Sequence, residues 1–174
     1  MNHLDDTLEA LDETLAAALE QVLAAEAISG ADDATVLRAM AITAHMQRRL
    51  DGLLTELVGE VDVRDTAQPT ANGIVMRSGY RNLNDLLQQV TLRTPQTVSA
   101  LTRVARAVRR PVALCTGEVL PPELPALRAA LLEGAVGIEG VTAVLGPLRE
   151  LHCAVGTERM REAERVLADA VRGT

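Results

Sequence analysis

Seven arginines crowd one short stretch of this 174-residue chain. Arg77, Arg81, Arg93, Arg103, Arg106, Arg109 and Arg110 lie between Met76 and Leu114 against a single acid, Asp85, a local balance of +6. A guanidinium donates in a fixed fork that matches phosphate oxygens or a guanine edge bidentately, so such a cluster is a candidate interface for double-stranded DNA. Each phosphate neutralised releases counterions, and binding of this kind depends steeply on salt. The alternative is that the same arginines pair with acids of this chain or of a second copy.

Other chemistry is thin. His3, His45 and His152 are isolated, with no further ligand at the spacing that would fix a metal ion. Cys115 with the adjacent pair His152 and Cys153 falls one ligand short of a zinc set, and the two thiols read as core residues. The acid pairs Asp5–Asp6 and Asp32–Asp33 stand at helix starts, where carboxylates cap amides and favour the dipole. No phosphate-binding loop, dinucleotide fingerprint or nucleophile elbow occurs. We expect no catalytic residue, no metal and no cofactor, and a protein that is not an enzyme.

The elements that must position the arginines follow from composition. The chain is 48% hydrophobic yet has one aromatic residue, Tyr80, so its core is aliphatic and Ala-rich, which favours helix over strand. A chain of this size buries ~70% of its unfolded surface, enough for a real core. The same lack of rings removes the stacking platforms that hold single-stranded nucleic acid. All 17 basic residues are Arg, which we read as a coding bias. No apolar run approaches the ~18 residues of a membrane span. The acidic start Met1 to Asp6 lacks a signal-peptide pattern, and two cysteines make no disulfide framework, so the expected compartment is the cytoplasm.

Periodicity divides the chain. Leu4, Leu8, Leu11, Leu15, Ala18, Val22 and Ala25 alternate steps of four and three, a heptad stripe on an amphipathic helix. A second helix is expected over 34–61, making residues 1–61 an acidic helical hairpin, with a linker or loop at 62–79. From residue 80 to 174 we expect an Arg-rich multi-helix bundle. Asn82 with Asp85 forms a capping box, and Thr94–Pro95 starts a helix running to Arg110. On that helix Val98, Leu101, Val104, Ala105 and Val108 share one arc, with Arg103, Arg106 and Arg110 opposite within ~60°. The two helices and their turn are helix-turn-helix-like. Pro121–Pro122 is expected to open a helix closed by Gly134, and Gly146–Pro147 to kink or break the next. The net charge of -7 hides an asymmetry: residues 1–65 carry 14 acids and 4 Arg, residues 66–174 carry 10 acids and 13 Arg.

Several runs from Gly79 onward carry a family likeness. They are Gly79-Tyr80-Arg81-Asn82-Leu83, Arg103-Val104-Ala105-Arg106-Ala107, Thr116-Gly117-Glu118-Val119-Leu120-Pro121-Pro122 and Gly134-Ala135-Val136-Gly137-Ile138-Glu139. Together they resemble the actinobacterial 13E12-repeat proteins, domain-of-unknown-function family 222, whose helical domain usually precedes an HNH endonuclease domain. The Thr-Gly-Glu-x-Leu-Pro-Pro stretch is the most specific part, and Gly140 stands where family members often carry His. The resemblance implies a helical module attached to a DNA-cleaving enzyme. It does not carry the cleavage over, since the His and Asn residues that hold a metal on a scissile phosphate are absent from this sequence.

The sequence therefore predicts an all-α protein acting as a non-catalytic DNA-binding or targeting module of that HNH-associated family, with double-stranded DNA on the seven arginines. The alternative is a helical oligomerisation or protein-interaction domain, with a homo-oligomer formed through the N-terminal helices. No membrane partner is expected.

Overall fold

A computed structural model describes residues 3–24, 27–68, 73–113, 116–154 and 157–172, with the backbone alone for 151–154 and 157. Cys115, Leu114, Ala25 and the side chains of His152, Cys153 and Thr157 lie outside that set, as does the middle of the expected linker. The described residues are all-helical, as the aliphatic composition requires, with 77% helix, eight helices and no strand. The chain divides into two compact units, Met1–Ala44 and His45–Thr174.

The first unit holds α1 (His3–Ala24) and the beginning of α2 (Asp33–Thr66). Asp32 caps α2 by accepting the Thr35 amide at 2.7 Å. Bonds from Thr35 hold the Asp32 carboxyl below the usual carboxylate range. None of the α1 residues is buried. In α2 the helix continues past Val61 to Thr66, and the short α3 (Ile74–Arg77) occupies part of the stretch expected to be a linker. Asp65 explains that short helix: its carboxylate accepts the Val75 amide at 3.0 Å, and a Cβ on Gly73 would lie 2.3 Å from the same carboxylate oxygen.

In the second unit, α4 (Leu83–Thr91) and α5 (Pro95–Val108) start as their caps predict. The Asn82 side chain accepts from the Asp85 amide, and Thr94 accepts from Thr97 with Pro95 in the first turn. The apolar arc of α5 is the heart of the core: Val98, Leu101 and Val104 have no exposed surface. It packs against α4, α6 (Pro125–Leu132) and α7 (Ile138–Ala154), while α8 (Thr157–Arg172) packs on α6 and α7.

One proline pair behaves differently from expectation, and Pro147 lies within a continuous helix. Helix α6 opens at Pro125, not at Pro121–Pro122. A helix begun earlier would place Pro125 in its interior, where the ring removes a bond and strikes the preceding turn, so the last proline of the series sets the start. Helix α7 runs on through Gly146–Pro147. The bond forgone there is to Ala143, on the exposed side of the helix, where water can serve the carbonyl.

The buried helix α6 is served at both ends by side chains from elsewhere. Its own N-cap, Leu124, offers no side-chain bond. Glu164 of α8, 1% exposed, accepts the Leu127 amide at 2.7 Å instead. At the other end Arg48 and Arg49 of α2 donate to the carbonyls of Gly134 and Glu133 at 2.7 and 3.2 Å. Negative charge at the N-terminus and positive charge at the C-terminus both suit the helix dipole. The backbones come close here too, since a Cβ on Gly52 would lie 2.8 Å from the Leu131 carbonyl oxygen.

Burial raises the Glu164 pKa above its ordinary value of 4.5, outweighing the amide bonds to Leu127 and Ala126 that favour the carboxylate. A raised pKa means that the folded state holds the proton more tightly than the unfolded chain, so stability falls as pH climbs from about 4.5 through the raised value. Glu164→Gln keeps an acceptor and has no proton to lose. Urea midpoints measured across that range should decline for the parent and hold level for the variant; equal slopes would exclude Glu164 as the source. Glu164→Ala leaves the Leu127 amide buried without an acceptor and should cost about 1–3 kcal/mol.

Candidate nucleic-acid interface

Ion pairs divide the seven arginines. Arg93, in the turn between α4 and α5, donates to Asp51 at 2.7 Å. Arg106 on α5 donates to Asp62 through Nε and Nη2, the shortest bond being 2.7 Å, and Arg109 reaches the other Asp62 oxygen at 3.4 Å. Asp62 is buried, and its hydrogen bond is the main reason why the Arg106 pKa is raised. Both acids come from the C-terminal part of α2. The same stretch supplies Glu56, which pairs with Arg128 of α6 at 2.5 Å. Pairing within the chain, the alternative to a phosphate partner, is thus realised for three of the seven.

Four remain. Arg77 at the end of α3, Arg81 before the α4 cap, Arg103 on α5 and Arg110 after it are exposed, and none makes an ion pair among the described residues. Arg106 is also 57% exposed despite its bond to Asp62, which fixes the guanidinium from the protein side.

Helices α4 and α5 are joined by three residues, Leu92 to Thr94, and Leu92 takes the left-handed conformation (φ 54°) that turns the chain. The exposed face of α5 then presents Gln96, Ser99, Arg103 and Arg106 at steps of three, four and three, a single polar stripe opposite the buried arc. Between the two helices lies an open cleft of about 480 Å³ lined by Asn82, Asn84, Ser99, Thr102, Arg103 and Arg106. The Thr102 hydroxyl donates to the Asn84 side-chain oxygen at 3.2 Å, tying α5 to α4 at the cleft floor.

Gln96, Ser99 and Asn84 were not singled out from the sequence, and Asn82 only as a helix cap. Neutral amides and hydroxyls give no charge signal, and the packing of α4 on α5 brings Asn82 and Asn84 beside the arginines. Around the stretch 111–120, Val112 and Val119 form an isolated antiparallel bridge, closed by Gly117 at φ 68°. Its Leu120 amide donates to the Pro111 carbonyl at 2.8 Å. This small loop stands beside Arg110, which with Arg109, Arg128 and Glu56 lines a cavity of about 250 Å³.

No group of three or more His, Cys, Asp or Glu that could hold a metal occurs among the described residues. None of their helices is long and apolar enough to cross a membrane. Comparisons of the chain with protein-family models, with curated proteins and with solved structures give no match.

The split between paired and free arginines has a measurable consequence. Asp62→Asn removes the anion under Arg106 and Arg109 and should lower the unfolding free energy by about 1–3 kcal/mol. Arg103→Ala, at an exposed position without an ion pair, should stay within about 0.5 kcal/mol of the parent. Chemical denaturation of the two variants checks this, and equal losses would show that the Asp62 cluster is not a structural anchor.

Proposed function

We propose that the chain is a non-catalytic DNA-binding or targeting module, with α5 as the helix that meets duplex DNA and α4 supporting it. The carrying observation is the stripe Gln96, Ser99, Arg103 and Arg106 on the exposed face of α5, which follows a three-residue turn from α4. A second helix presented in this way has the dimensions to enter a major groove, its early residues near base edges and its flanking cations near phosphates. Gln96 and Ser99 are suited to base edges, and Arg103 and Arg106 to guanine or phosphate. Arg77, Arg81 and Arg110 are free to add phosphate contacts, whereas Arg93 and Arg109 act from within ion pairs as supports. The near absence of aromatic rings, with Tyr80 alone, favours duplex over single strands. The resemblance to the HNH-associated 13E12-repeat proteins supports the same reading, with cleavage left to another domain.

Electrophoretic shift and fluorescence anisotropy with a duplex probe at low salt test it. The parent should bind, with a log-log salt slope that drops by ~0.9 for each phosphate contact removed. Arg103→Ala combined with Arg110→Ala should weaken binding at least tenfold, on the order of 1.4 kcal/mol, without unfolding the chain. A double variant that binds as the parent does, with an unchanged slope, would refute the proposal. Gln96→Ala should leave the salt slope intact and change only the preference among sequences.

A further inference from the structure

The unit Met1–Ala44 leaves its apolar side chains in water. On α1, Leu4, Leu11, Leu19 and Val22 are 47 to 51% exposed, and Leu37 and Met40 on the first part of α2 are more exposed still. Leu8 and Leu15 of the same stripe are only half-buried. Nine large apolar side chains among the described residues of this unit are 47 to 66% exposed, a surface of the kind that marks an interaction site. We propose that this unit is a homodimerisation element, in which α1 of one chain lies parallel to α1 of a second copy along the heptad stripe.

The pattern of charges around the stripe selects the occupant. With Leu4, Leu11 and Ala18 at d and Leu8, Leu15 and Val22 at a, the flanking g positions are Thr7, Thr14 and Gln21, all neutral. The e positions are Asp5, Asp12 and Leu19. In a parallel pair g faces e of the other chain, so Asp12 meets the neutral Thr7 of the copy and no acid faces an acid across the seam. An antiparallel pair sets e against e and brings Asp12 against its own copy, a like-charge contact that costs stability.

The remaining acids of α1, Asp6, Glu9, Glu13 and Glu20, stand away from the seam and do not oppose pairing along it. The flanking hydroxyls are already satisfied: Thr7 and Thr14 donate to the carbonyls of His3 and Ala10 at 2.7 and 2.8 Å. Covering them strands no donor.

Sedimentation of the full chain at tens of micromolar, in about 0.1 M and about 1 M salt, reads the state directly. The expected mass is twice 18.5 kDa at both, because burial of aliphatic surface is not weakened by salt. Leu11→Glu should abolish the dimer while far-UV circular dichroism retains its helical signal. Leu11→Cys should cross-link to its own copy on mild oxidation, well above the background from the parent's own thiols, since parallel d positions face each other.

A monomeric parent overturns the proposal and points to a different protein as the occupant. A dimer that survives Leu11→Glu overturns it as well. Failure of Leu11→Cys to cross-link, with a mixture of Leu4→Cys and Val22→Cys chains succeeding, overturns the parallel register. None of these outcomes depends on DNA binding, so the two proposals stand or fall separately.

Discussion

Helix α6 is eight residues long, and Leu127, Ala130 and Leu131 within it have no exposed surface. A helix so short has few internal bonds and many terminal amides and carbonyls, and burying its inner face takes some of these away from water. The unit His45–Thr174 answers that constraint with charge from distant segments: Glu164 from α8 at the N-terminus, Arg48 and Arg49 from α2 at the C-terminus. Those contacts tie two remote parts of the chain, α2 and α8, to one short element. The close approach at Gly52 and the ion pair between Arg128 and Glu56 belong to the same junction.

The arginines of α5 take their roles from that packing. Because α2 lies along this part of the unit, its acids Asp51 and Asp62 meet Arg93, Arg106 and Arg109, and an apparently uniform basic segment separates into structural and free cations. Arg106 belongs to both groups, held by Asp62 from below and open to solvent on its outer side. Such a residue is pre-oriented for a planar acceptor and loses less freedom on binding one. The stripe on α5 therefore combines a rigid backing with neutral hydrogen-bonding groups, which a loose cluster of charge would lack.

Charge is distributed between the two units unequally. Residues 1–44 hold nine acids and one Arg, while residues 45–174 hold 15 acids and 16 Arg, close to balance. The first unit adds exposed aliphatic surface to its acidity, and the second gathers most of its aliphatic side chains into a buried core while leaving others, Val90 and Leu92 among them, exposed.

Local chemistry was legible in the sequence. The aliphatic composition determined an all-helical chain, Asn82 with Asp85 and Thr94 with Pro95 set two helix starts, and the period of Val98, Leu101, Val104 and Val108 defined the buried face of α5. These signals lie within a turn or two of what they control. The start of α6 at Pro125 was also within reach, once the three prolines are weighed by which of them a helix interior tolerates. Tertiary structure alone decided which arginines are free, because Asp62 and Arg106 are 44 residues apart and neither carries a mark of the other. It alone decided that Glu164 serves the start of α6, and that Asn82 and Asn84 stand beside Arg103. Pairing across such separations depends on how helices pack, and the pattern of side chains along one helix does not contain it.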